Sequence, residues 1–234
     1  MTVLDAAWRW LTAGGHWSGP EGISSRLVQH VTLSAVSLLL ACAIALPLAL
    51  WLGHIGRGGF LAIAVSNIGR AIPTFALLSV FSLIASLGFG NRSIVLALVL
   101  FGVPPVLTNA YTGLRDVDPD IVEAARGTGM TGAQVLRQVE LPLALPLIVN
   151  GIRLAAVQIV ATLTIAALVA GPGLGRIISQ GFGTHNNGEI VAGAVLVVVL
   201  AVLVELIFAL AQRRLGPAKR NRKETPGILV ADPG

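Results

Sequence analysis

Residues 31–52 read VTLSAVSLLLACAIALPLALWL, an apolar run without one charged side chain. At about 1.5 Å per residue, a helix over this run is about 33 Å long, enough to cross the hydrocarbon core of a bilayer. Runs of the same kind recur outward from it at 93–114, 143–169 and 190–212. A further run at 60–87 is interrupted by Asn67, Arg70 and Pro73. The pattern predicts an all-α integral membrane protein with five transmembrane helices. Composition agrees: 55% of the 234 residues are apolar and 12% are charged, against about 25% charged in an ordinary soluble domain. A soluble fold keeps roughly a quarter to a third of its chain surface wet and has no place for so much apolar area. Disorder and most soluble enzymes are excluded. The single cysteine, Cys42, lies inside the first run, so neither a disulfide scaffold nor a cysteine metal site is available.

No cleavable signal peptide is expected, because residues 1–27 carry Asp5, Arg9, Glu21 and Arg26 and lack a continuous apolar core. Trp8, Trp10 and Trp17 in that segment read as an interfacial belt. Basic residues set the direction. With the N-terminus outside, ten fall in inside segments: Arg57, Arg115, Arg126, Arg137 and the tail residues Arg213, Arg214, Lys219, Arg220, Arg222 and Lys223. Four fall outside: Arg9, Arg26, Arg92 and Arg176. That bias predicts an outside N-terminus and a cytoplasmic C-terminus. The expected organisation is an extracytoplasmic segment at 1–27, a transmembrane domain at 28–213 and a mobile basic cytoplasmic tail at 214–234. The tail's charge suits anionic lipid; the basic residues form no aromatic-interleaved patch, so nucleic acid is not an expected partner.

The most polar internal stretch is RDVDPDIVEAARGTGMTGAQVLRQVELP at 115–142, cytoplasmic in this topology. Asp118 suits an N-cap, Pro119 the first helical position, and Asp120 and Glu123 the positive end of the helix dipole. Gly127 and Gly129 break that helix. Thr131 with Gln134 signals a capping box for a second short helix, which Pro142 limits because Leu141 is disfavoured in the helical region. The two helices carry Ile121, Val122, Ala124, Ala125, Met130, Val135, Leu136 and Val139, more apolar surface than a small hairpin covers. Some of it is expected on the inner ends of the spans and some on a soluble partner.

Glu123-Ala124-Ala125, then Gly129 after three intervening residues, then Val139-Glu140-Leu141-Pro142 after nine more, resemble the EAA loop of bacterial binding-protein-dependent ABC importer permeases. Only Val139, in place of Ile, departs from the pattern. The resemblance implies an importer-permease bundle in the bacterial plasma membrane, with coupling helices that seat in the ATP-binding subunit. It assigns Glu123, Ala124, Ala125, Gly129, Leu141 and Pro142 to ATPase coupling. It also implies a second permease copy or paralogue and an extracytoplasmic substrate-binding protein as partners. Further stretches narrow the likeness to the quaternary-amine permeases for glycine betaine, carnitine and choline. These are 17–23, His30 with Leu33-Ser34, Pro47-Leu48, 67–73, 161–166 and Gly193-Ala194. The chain departs from that group at 170–175 and at Arg176. A methionine-type amino-acid importer shares the loop and stays open as an alternative, as does a secondary transporter independent of ATP, although no internal duplication of the kind expected there is evident.

The two lysines, Lys219 and Lys223, lie in the tail, and no G-x-x-x-x-G-K-[ST] loop occurs, so ATP and Mg are expected on a partner subunit. His16, His30, His54 and His185 show neither metal-ligand spacing nor a nucleophile–base arrangement, and read as solvated groups at loops or span ends. Enzyme chemistry, a metal and a cofactor are not expected on this chain. Within the spans, Asn109, Asn150, Gln158, Thr162 and Thr164 suit hydrogen bonds between helices. Arg70, Pro73, Gln158 and Thr162 are the candidates for a translocation path. Arg70 equally suits snorkelling to headgroups; Arg153 suits snorkelling or pairing with Glu140, and Glu205 a bundle-facing position.

Overall fold

The computed structural model describes residues 2–84, 90–169 and 171–215. All regular structure among them is helical. A short helix α1 (Val3–Thr12) precedes the first long one, α2 (Ile23–His54). Two shorter helices follow, α3 (Gly59–Ala71) and α4 (Thr74–Leu83), and then α5 (Asn91–Arg115). The polar loop folds as α6 (Pro119–Gly127) and α7 (Gly132–Val135) and runs into α8 (Leu141–Ala166). The chain closes with α9 (Gly175–Gly183) and α10 (Asn187–Leu215).

Among the described residues, four helical stretches are long and apolar enough to cross a membrane: Ile23–His54, Asn91–Arg115, Gly132–Val169 and Asn187–Arg213. The interrupted run expected to form the second of five spans is not one continuous helix. It is α3 and α4, broken at Ile72 and Pro73. Proline has no N–H to donate and pushes the residue before it into extended geometry, and Ile72 is extended at φ −76, ψ 122. Residues 85–87 of that run, and the tail from 216 on, lie outside the described residues.

The core is the packing of α5 between α2 and α8. Ala41, Ala45 and Ala49 of α2 are fully buried at four-residue spacing, a stripe of small side chains that lets helices approach closely. Opposite them lie Val106, Leu107 and Ala110 of α5 with Ala144, Ile148 and Ala155 of α8. Gly151 marks a tight crossing, since a Cβ there would lie 2.7 Å from Asn109 Cβ and 2.9 Å from the Pro105 carbonyl. By contrast α10 leaves Val198, Val202, Leu203, Leu206, Ile207 and Leu210 exposed. Water would penalise each at about 25 cal/mol per Å2 of apolar area, whereas lipid does not.

At the N-terminal end, α1 packs on α10. Its cap is a Thr2–Asp5 box in which Thr2 N–H donates to Asp5 at 3.0 Å, and the Thr2 side-chain and backbone hydrogen bonds hold the Asp5 carboxyl below its usual range. Trp10 stacks on His16 with ring centroids 4.2 Å apart, Trp17 Nε1 donates to the Leu11 carbonyl at 2.7 Å, and Trp8 is 69% exposed.

Candidate functional site

The loop between α5 and α8 follows its sequence signals for most of its length. Asp118 Oδ1 accepts from Asp120 N–H at 3.0 Å, and Pro119 takes the first helical turn. Helix α6 ends in a complete Schellman motif. Gly129 sits at φ +86, its N–H donates to the Arg126 carbonyl at 2.9 Å, and Met130 N–H reaches back to the Ala125 carbonyl at 3.4 Å. The left-handed turn is why glycine stands at 129. Thr131 N–H then donates to Gln134 Oε1 at 2.8 Å, forming one half of the expected capping box.

The expected stop at Pro142 does not occur. Helix α7 passes through a π-helical stretch at Leu136–Glu140 directly into α8. Leu141 N–H donates to the Leu136 carbonyl, and Leu141 is helical at φ −62, ψ −47 despite the proline after it. The wider i→i+5 turn changes the hydrogen-bond register at the junction, and Pro142, which has no N–H to donate, follows it at the start of α8.

The loop's side chains divide in two. Val135 is fully buried and Glu140 is 5% exposed. Ile121, Glu123, Ala124, Gly129 and Pro142 are exposed, Ala125 and Leu141 partly so. Nothing lies within 4 Å of a Cβ built at Gly129. The Glu123–Gly129 stretch is thus an open, small-residue surface on an anchored base. Between base and bundle runs a polar cleft of about 560 Å3, lined by His54, Leu114, Arg115, Val122, Glu123, Arg126 and Glu140.

Glu140 pairs with His54, not with Arg153: His54 Nδ1 is 2.6 Å from Glu140 Oε2. Arg153 instead meets Glu205 of α10, with Nε to Oε2 at 2.8 Å and a second contact from Nη2 to Oε1. Its Nη1 also donates to Gln212 at 3.0 Å. This pair clamps α8 to α10.

The histidines expected to be solvated are mostly engaged. His30 is fully buried. Leu174 N–H donates to its Nδ1 at 3.2 Å, so Nε2 carries the proton and donates to the Val160 carbonyl at 3.0 Å. This one side chain ties α2 to α8 and to the turn before α9. His16 Nδ1 donates to the Trp10 carbonyl at 2.9 Å.

Of the path candidates, Gln158 and Thr162 share one face of α8 a turn apart. Gln158 Nε2 donates to the Phe101 carbonyl at 3.4 Å, an acceptor left open because Pro105, four residues on, has no N–H. Thr162 is 6% exposed. Pro73 is exposed at the α3–α4 break. Arg70 belongs to α3, and its side chain lies outside the described ones. An apolar groove of about 230 Å3 lined by Val65, Ile68, Gly69, Ile72, Leu77, Phe101 and Pro104 separates α3 and α4 from α5. The expected bonds between helices form at Asn150, which donates to Asn109 Oδ1 at 3.1 Å. Thr164 Oγ1 is buried without a partner among the described residues.

Residues 35–221 match the family of binding-protein-dependent transport system inner membrane components. The chain belongs to this family. It is 37% identical over 194 residues to the choline transport system permease protein OpuBB of Bacillus subtilis, covering 83% of this chain and 88% of that one. It is 38% identical over 196 residues to the carnitine transport permease protein OpuCD of Listeria monocytogenes, covering 83% and 87%. Among solved structures, an inward-facing conformation of the MetNI methionine ABC transporter matches with a TM-score of 0.70 at 25% identity, covering 81% of this chain and 94% of that one. The chain is accordingly a multi-pass membrane component of a transport system. Among the contacts that join its distant helices are two ion pairs, His54 with Glu140 and Arg153 with Glu205. Arg153 and Glu205 carried a sequence signal as ionisable groups within apolar runs, whereas His54 carried none.

Proposed function

We propose that this chain is the permease subunit of an ATP-driven importer for quaternary-amine osmoprotectants such as choline, carnitine or glycine betaine. The observation that carries the reading is the open Glu123–Gly129 surface set on a buried base and continuous with α8. It suits docking into an ATPase subunit whose closure must reach the spans. The names of the curated relatives favour this cargo. A methionine-type importer is the second reading, favoured by the fold shared with MetNI.

In this reading Glu123, Ala124, Ala125 and Gly129 meet the ATPase, while Leu141 and Pro142 form the junction that passes its motion to α8. ATP and Mg bind on that partner. A second permease, identical or paralogous, completes the pore, and an extracytoplasmic binding protein delivers cargo. Helices α3 and α4 cross in tandem as the remaining span, giving an outside N-terminus with 1–27 extracytoplasmic, 28–213 as the permease domain and 214–234 in the cytoplasm. The break at Pro73, with Arg70, Gln158 and Thr162, borders the path.

The test is co-purification of the native complex, followed by ATPase and uptake assays in proteoliposomes. Stimulation by choline, carnitine or glycine betaine is expected. Stimulation by methionine alone contradicts the cargo, and uptake unchanged without the ATPase subunit contradicts the whole reading.

A further inference from the structure

The loop is covalently continuous with α5 on one side and α8 on the other, so displacement of α6 and α7 reaches those helices through the chain. Helix α2, which forms the core with both, has no such connection. Leu136 of the loop packs on the apolar cluster that holds Ala45 and Ala49 of α2, and the polar contact between α2 and the loop is made by His54 in its last turn. The imidazole stands between two parts of the loop: Nδ1 is 2.6 Å from Glu140 Oε2, and Nε2 lies 3.3 Å from where a Cβ on Gly132 would sit. Glu140 ends the π-helical stretch that joins α7 to α8, the place where a helix most readily changes register. The Glu140 side chain is 7% exposed, and Nδ1 donates to its Oε2. A buried carboxylate that loses its donor is penalised strongly, which makes the pair resist separation. The other charged groups lining the same cleft are Arg115, Glu123 and Arg126.

We propose that His54 is a positioning residue for transport: through Glu140 it forces α2 to follow the loop, so that α2 and α8 move together. This rests on the ATPase-docking reading above. The test uses the full complex in proteoliposomes and reads ATP hydrolysed per substrate imported. His54→Ala is expected to keep the ATPase subunit bound and hydrolysing while raising that ratio about tenfold, a coupling change within the range such networks carry. His54→Asn, whose Nδ2 replaces Nδ1 as donor, is expected to restore the ratio to within about twofold. Glu140→Ala is expected to match His54→Ala, and the double variant to be no worse, as for two halves of one contact. An unchanged ratio in His54→Ala overturns the proposal, as does a loss of assembled complex with an unchanged ratio in what remains. Failure of the unaltered permease to bind any ATPase subunit overturns the docking reading instead.

Discussion

Gly129 and His30 show how single positions carry opposite kinds of constraint. At Gly129 the backbone demands a left-handed turn, yet the space around it is open within the chain. Aspartate tolerates that conformation better than most residues, so Gly129→Asp should cost the permease no more than about 1–2 kcal/mol of stability. Membrane insertion and thermal stability should hold while ATPase binding and uptake fall; normal uptake by the variant argues against docking at this surface. His30 is the reverse case, closed on every side. His30→Leu leaves the Leu174 N–H buried without its acceptor, at about 1–3 kcal/mol, and takes from the Val160 carbonyl its link to α2. A lowered melting temperature of the detergent-solubilised protein is expected, and an unchanged one contradicts the bridge.

Among elements, the α5–α8 seam is defined by close-approach glycines, Gly102 and Gly113 on α5 and Gly151 on α8, and by amides that serve proline-freed or neighbouring carbonyls. Gly151→Leu would drive a side chain into Asn109 and the Pro105 carbonyl, and overpacking of this kind costs about 1–3 kcal/mol or more. Reduced yield of folded protein is the expected outcome, and normal yield would show that the seam is looser than described. Gln158→Leu takes the side-chain donor away from the Phe101 carbonyl and should lower stability by about 1 kcal/mol. Equal melting temperatures for Gln158→Leu and the unaltered chain contradict that role. Much at this scale was readable beforehand: α2, α5 and α10 announce themselves by apolar length, and α6 by Asp118-Pro119 and its glycines. Pro142 misled because its effect on Leu141 is a local preference, and the π-turn that absorbs it depends on Val135 and Glu140 being buried against the bundle. The pairings of Glu140 with His54 and Arg153 with Glu205 join residues 86 and 52 apart. Only the packing of whole helices decides such choices.

For the whole molecule, the sequence pattern carried the class of the protein, since lipid is the solvent that tolerates α10's exposed face. The loop's position between α5 and α8 was also legible, through its charge and caps. What the pattern did not carry was which side of that loop faces the bundle, because Val135 and Ile121 are equally apolar and differ only in tertiary burial. Under the proposed function, the open side, at Ala124, is gripped in the cytoplasm by an ATP-hydrolysing subunit. The direct measurement is disulfide cross-linking in native membranes, with Ala124→Cys placed in a chain whose single cysteine, Cys42, is changed to alanine. A cross-link to the ATPase subunit is expected, with the introduced thiol shielded from impermeant reagents added outside intact cells. Labelling of that thiol from outside, or the absence of any ATPase cross-link in a transport-competent complex, would contradict it.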